Sequence, residues 1–78
     1  MLPAVGDVVQ LSAAGRVTEK GYRWDWTEPL WPGLTGAVVG FKLDPSGLWV
    51  VVVARRWNIV VADEYRPHHV ESVGGPMG

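Results

Sequence analysis

The side chains best able to do chemistry in this 78-residue chain fall into three short clusters, and spacing decides what each can do. His68-His69, with Asp63 and Glu64 a few residues before it, has the donor types of a metal site. Neighbouring residues on an extended or 3₁₀ segment point in different directions, however, and zinc needs three or four donors arranged as a tetrahedron. The pair therefore reads as a turn with its imidazoles in solvent. Ser12, Ser46 and Ser72 fall where turns and strand edges are expected, so no serine–histidine–aspartate arrangement emerges. Gly36 and Gly40 share the outline of a phosphate loop but lack the lysine and helix that must follow it. These residues call for no catalytic group, no metal and no cofactor.

The second cluster is aromatic. Tyr22, Trp24 and Trp26 alternate with Arg23, Asp25 and Thr27, and Trp31 follows. An extended segment there would be aromatic on one face and polar on the other. Such a surface can grip a proline-rich peptide or stack single-stranded bases, with Arg23 as a polar anchor. Alternatively the rings fold back over a thin core. The third cluster, Arg55-Arg56-Trp57, joins two cations to a stacking surface and suits a nucleic-acid strand. Overall charge opposes a partner held mainly through phosphates, since seven basic residues against eight acidic ones give a net charge of −1.

The elements that must position these clusters are strands. Fourteen valines stand against one isoleucine and six leucines, and β-branched side chains suit a pleated surface better than a helix. Ten glycines and six prolines punctuate the chain too often for a long helix. Five strands are expected, over residues 7–11, 34–41, 48–54, 59–62 and 69–73. A long connection, residues 12–33, carries the aromatic segment. In the second strand Thr35, Ala37, Val39 and Phe41 should share one face, with Gly36 and Gly40 on the other. Asp44-Pro45-Ser46-Gly47 has the residues of a type I turn, with aspartate first, proline second and glycine fourth. Residues 55–58 make the next turn, and residues 63–68 another around Pro67, with room for one turn of 3₁₀ helix. Residues 1–73 then form one domain, and 74–78 a flexible tail.

Strands three and four are apolar on both faces. Leu48, Val50, Val52 and Ala54 alternate with Trp49, Val51 and Val53, and Ile59 and Val61 alternate with Val60 and Ala62. A half-buried strand should alternate apolar with polar residues. Something must cover the second face: the aromatic loop, another copy of the chain, or a protein partner. Trp49, Val51, Val53 and Val60 are the candidate interface. The chain has no cysteine, so no disulfide or thiolate metal site reinforces the core. Its opening residues lack the basic cluster and long apolar stretch of a secretory signal, and its longest apolar run, Leu48 to Ala54, is seven residues. A helix needs ~20 residues to span a bilayer. A cytoplasmic protein without membrane association is the expectation.

Gly6-Asp7, the long connection, Gly36-Ala37-Val38-Val39-Gly40-Phe41, the hairpin at Pro45 to Gly47 and the turn-then-strand ending resemble the SH3-like small barrels. Over residues 36–73, including the Tyr65-to-Glu71 spacing, the pattern is similar to the plasmid-borne type II dihydrofolate reductases. That resemblance implies a reductase pore built from four barrels and using NADPH. Leu11 stands where the family has a lysine, and Ala62-Asp63-Glu64-Tyr65 where it has Val-Gln-Ile-Tyr, so only the tyrosine matches. Asp63 and Glu64, repeated fourfold, would oppose an anionic cofactor. The same glycines and valines recur in KOW-type nucleic-acid binders. The expectation is thus an all-β, five-stranded SH3-like barrel that acts as a non-catalytic module, associating with itself or a protein partner. A KOW-like nucleic-acid binder is second, and a type II reductase-like enzyme third.

Overall fold

A computed structural model of the chain describes residues 2–17 and 28–74. The strands are β1 (Val8–Leu11), β2 (Gly36–Asp44), β3 (Gly47–Arg56), β4 (Ile59–Tyr65) and β5 (Val70–Gly74). They form a single antiparallel sheet in the order β4-β3-β2-β1-β5, so β4 and β5 are its edges. Two 3₁₀ turns, Gly15–Val17 and Pro67–His69, complete the regular structure of the described residues. None of these residues forms a helix long and apolar enough to cross a membrane.

Each hairpin turn has a local cause. Between β2 and β3, the Asp44 carboxylate accepts hydrogen bonds from the amide and hydroxyl of Ser46, while Gly47 takes φ +120°, which costs a glycine little. Between β3 and β4, Arg56 faces Ile59, leaving only Trp57 and Asn58 in the turn. Strand β4 runs to Tyr65, past the expected end at Ala62. Asp63 and Glu64 looked like turn residues, yet an edge strand tolerates both. Glu64 points outward, and the Glu64 amide donates to Asp63 Oδ1 at 2.8 Å. Gly74 belongs to β5 rather than to a tail.

The pleat sorts the side chains. Val9, Leu11, Val38, Val50, Val52, Tyr65 and Val70 face inward and, with Leu30 laid over them, form the core. Val9, Val50 and Val52 are 0% exposed, and burying each contributes roughly 1.5–3 kcal/mol. Gly36 is on this inner side. A Cβ there would meet Val52 Cγ1 and the Val53 carbonyl at 2.8 Å and Leu30 Cδ2 at 3.2 Å, so the glycine is what lets Leu30 and β3 close together. The expected face of Thr35, Ala37, Val39 and Phe41 does not exist as one face. A bulge between Val38 and Gly40 shifts the period, after which Gly40 opposes outward Val51 and Phe41 opposes inward Val50.

Candidate functional site

The register of β3 settles which valines are core. Val50 and Val52 point inward, so Trp49, Val51, Val53 and Arg55 point outward. The outer face is built in rows: Ala37, Val53 and Ala62 in one, Gly40, Val51 and Glu64 in the next. Val51 and Val53 are half-buried, whereas Val60, opposite Arg55, is 67% exposed. A shallow trough of about 400 Å³ runs over this face, with Val8, Ala37, Val53, Arg55 and Val60 among its lining. Its lining sits on the row in which small Ala37 lies between Val8 and Val53.

The end of the outer face near the β2–β3 turn is tied down. The Arg66 guanidinium lies 3.7 Å from the centroid of the Trp49 ring and donates to the Leu48 carbonyl and Ser46 Oγ. Trp49 Nε1 donates to Asp44 Oδ2 at 3.0 Å, and Lys42 pairs with Glu64 at 3.2 Å. The Asp44 carboxyl is held below the usual carboxylate range, first by the Ser46 hydroxyl and then by the Ser46 amide, the Trp49 indole and Lys42. Trp49, expected at an interface, therefore already has one face of its ring covered.

The Arg55-Arg56-Trp57 cluster is split by the pleat. Arg55 is exposed on the outer face. Arg56 turns inward, where Nη2 donates to the carbonyls of Glu28 and Pro29 at 3.2 and 2.6 Å and the guanidinium lies 5.8 Å from the Trp31 ring. Arg56 and Trp31, both expected to bind a ligand, thus join the segment carrying Leu30 to the end of β3. Trp57 is 84% exposed at the turn, with φ +54°. Tyr22, Arg23, Trp24 and Trp26 lie outside the described residues.

Tyr65, which matches the reductase pattern, is a core residue at 6% exposure, and its hydroxyl accepts the Leu30 amide at 3.3 Å. Burial, with the nearby Asp63 and Glu28 charges, pushes its phenol well above the usual tyrosine range. Leu11 is also buried in the core. The rings of His68 and His69 lie 4.2 Å apart and tilted by 58°, and among the described residues no three His, Cys, Asp or Glu side chains are grouped to hold a metal. Ser12 latches this turn to β1, its amide donating to the His69 carbonyl and its hydroxyl to the His68 carbonyl.

Sequence reasoning missed the Trp49–Arg66 stack and the Arg56 anchor. Both join residues far apart in the chain, and only the alternation of β3, which sends Arg55 and Arg56 to opposite faces, could have hinted at the second. No protein-family model, curated protein or solved structure matches this chain.

Proposed function

We propose that the chain is a non-catalytic assembly module of SH3-like architecture that associates with a second copy of itself through the outer face of β3 and β4. The placing of β1 between β2 and β5, and the 3₁₀ turn leading into the last strand, support the SH3-like barrel. The observation that carries the function is the trough of Val8, Ala37, Val53 and Val60, an apolar surface on the side of the sheet opposite the core. Arg55 lines it, and the Lys42–Glu64 pair stands farther along the same face, so the face carries charges of both signs that a second copy can match. Binding N but not U stabilises the fold by mass action, so the melting temperature should rise with protein concentration. Val53→Lys should give a folded monomer whose melting temperature no longer depends on concentration. Val52→Lys, which buries a charge, should prevent folding. A wild-type chain that stays monomeric over a hundredfold concentration range would dismiss the reading.

The nucleic-acid alternative draws on Trp57, exposed at the β3–β4 turn, and Arg55, exposed near the end of β3. With Arg56 engaged inside, that turn offers a single outward guanidinium, which favours the assembly reading.

A further inference from the structure

The described tryptophans are Trp31, Trp49 and Trp57. Two have an arginine over the ring within the molecule: Arg56 at 5.8 Å from Trp31 and Arg66 at 3.7 Å from Trp49. Trp57 and Arg55 remain. Each is exposed, and among the described residues neither has a hydrogen bond, ion pair or ring contact through its side chain. They are two residues apart but do not stack on each other. Arg55 lines the outer trough, while the indole projects from the turn tip.

The backbone sharpens the contrast. Trp57 holds φ +54°, a left-handed conformation that is costly for a bulky side chain and cheap for glycine. Folding alone is better served by glycine at this position. The strained residue presents the largest side chain available and buries little of it against its own domain, since it is 84% exposed. Arg55, two residues before it, lines the trough of about 400 Å³, with small Ala37 on the floor between Val8 and Val53. A projecting ring and a receptive trough on neighbouring parts of one surface are self-complementary about a twofold axis, because the contact of i with j′ implies the contact of j with i′.

We infer that Trp57 of each copy inserts into the outer trough of the other, beneath the other's Arg55, so that two identical arginine–tryptophan stacks close a dimer. This rests on the assembly reading above and names the contact that drives it. A desolvated cation–π pair is stronger than an exposed one, and buried tryptophans and arginines are the residues that dominate interfaces.

The test separates donor from acceptor. Trp57→Gly removes the inserted ring while suiting the backbone, and Ala37→Lys blocks the trough floor. Sedimentation of the full chain should show each variant associating about tenfold or more weakly than wild type. Mixed in equal amounts, they should form a heterodimer at concentrations where each alone is monomeric, since one intact ring then meets one intact trough. Arg55→Ala should weaken wild-type association about threefold or more. Melting curves of the dilute variants check folding, and Ala37→Leu, which fills the floor without a charge, replaces Ala37→Lys if that chain does not fold. Wild-type dimers that survive Trp57→Gly unchanged, or a mixture no better than its components, overturn the reciprocal insertion and leave assembly standing. A strictly monomeric wild type overturns both. Salt-sensitive binding of a single-stranded oligonucleotide, lost in Trp57→Gly and Arg55→Ala without any change in self-association, would assign the pair to nucleic acid instead.

Discussion

The two ends of the outer face of β3 are alike in composition and opposite in state. At one end Trp49 lies under Arg66, its indole bonded to Asp44, with the Lys42–Glu64 pair alongside. At the other end Trp57 and Arg55 are close in sequence, both exposed, and make no such stack. The first end spends its aromatic and its cation on holding a turn in place. The second holds its turn with two residues and a left-handed backbone, and leaves the same chemistry facing outward. The contrast shows that nearness in sequence does not decide a stack: Arg66 reaches Trp49 from far along the chain, while Arg55, two residues from Trp57, leaves it uncovered. What matters is whether the fold has already joined them.

Breaking the clasp should have the largest effect. Arg66→Ala removes the stack on Trp49 and two hydrogen bonds, to Leu48 and Ser46. A cost of about 1–3 kcal/mol is expected, read as a lower denaturation midpoint. The matching truncation at the other end, Trp57→Ala, should leave the stability of the dilute monomer nearly unchanged. Equal losses from the two would erase the distinction between the ends.

The clasped end is also held from the inner side, where Tyr65 opposes Val50 and its hydroxyl accepts the Leu30 amide. The folded state raises the pKa of this phenol and so favours its neutral form. Its contribution should be complete below the ordinary tyrosine value of about 10 and decline as pH rises above it towards the folded value. Alkaline titration should therefore show Tyr65 ionising together with unfolding. Tyr65→Phe should remove that part of the pH dependence at a cost of about 1 kcal/mol, for a buried amide left without its acceptor. A Tyr65 phenol that ionises near pH 10 in the folded chain would contradict this.

The smallest effect belongs to Asp44. Its carboxyl is held below the ordinary value of 3.8 by Ser46 first, so the turn gains from the charged form above that pH and loses the gain as pH falls below it. Indole fluorescence should report a slight loosening around Trp49 in acid, absent in Asp44→Asn. No comparable acid response is expected at the Trp57 turn, which has no carboxylate.

Much of the strand pattern was legible in the sequence. Asp44-Pro45-Ser46-Gly47 specifies a turn through side chains that act on their own backbone, and the β2–β3 turn is where those residues required it. The length of β4 was not legible, because Asp63 and Glu64 carry turn-like chemistry while Glu64 is tolerated by an outward position on an edge strand. The faces of β2 were misassigned because one extra residue at the bulge reverses every later side chain, and period counting cannot see it. Two apolar faces on β3 were evident from alternation alone, but which one is core depends on where Leu30 packs. At the candidate site, Arg55 and Arg56 could not be told apart by type. The pleat of β3 sends them to opposite faces, and the Glu28 and Pro29 carbonyls brought across to Arg56 then engage it.

The hydrogen bond from the Glu64 amide to the Asp63 carboxylate has a consequence beyond β4 itself. An edge strand offers its outward amides to any passing chain, and an apolar one of six or seven residues is a template for cross-β stacking. Strand β4 is seven residues long and begins Ile59-Val60-Val61-Ala62. The carboxylate occupies one amide and adds charge within its second half, so the uninterrupted apolar stretch is four residues. A template that short holds an incoming strand by too few rungs to grow a fibril, so the chain can keep a greasy outer face without its open edge recruiting an endless sheet.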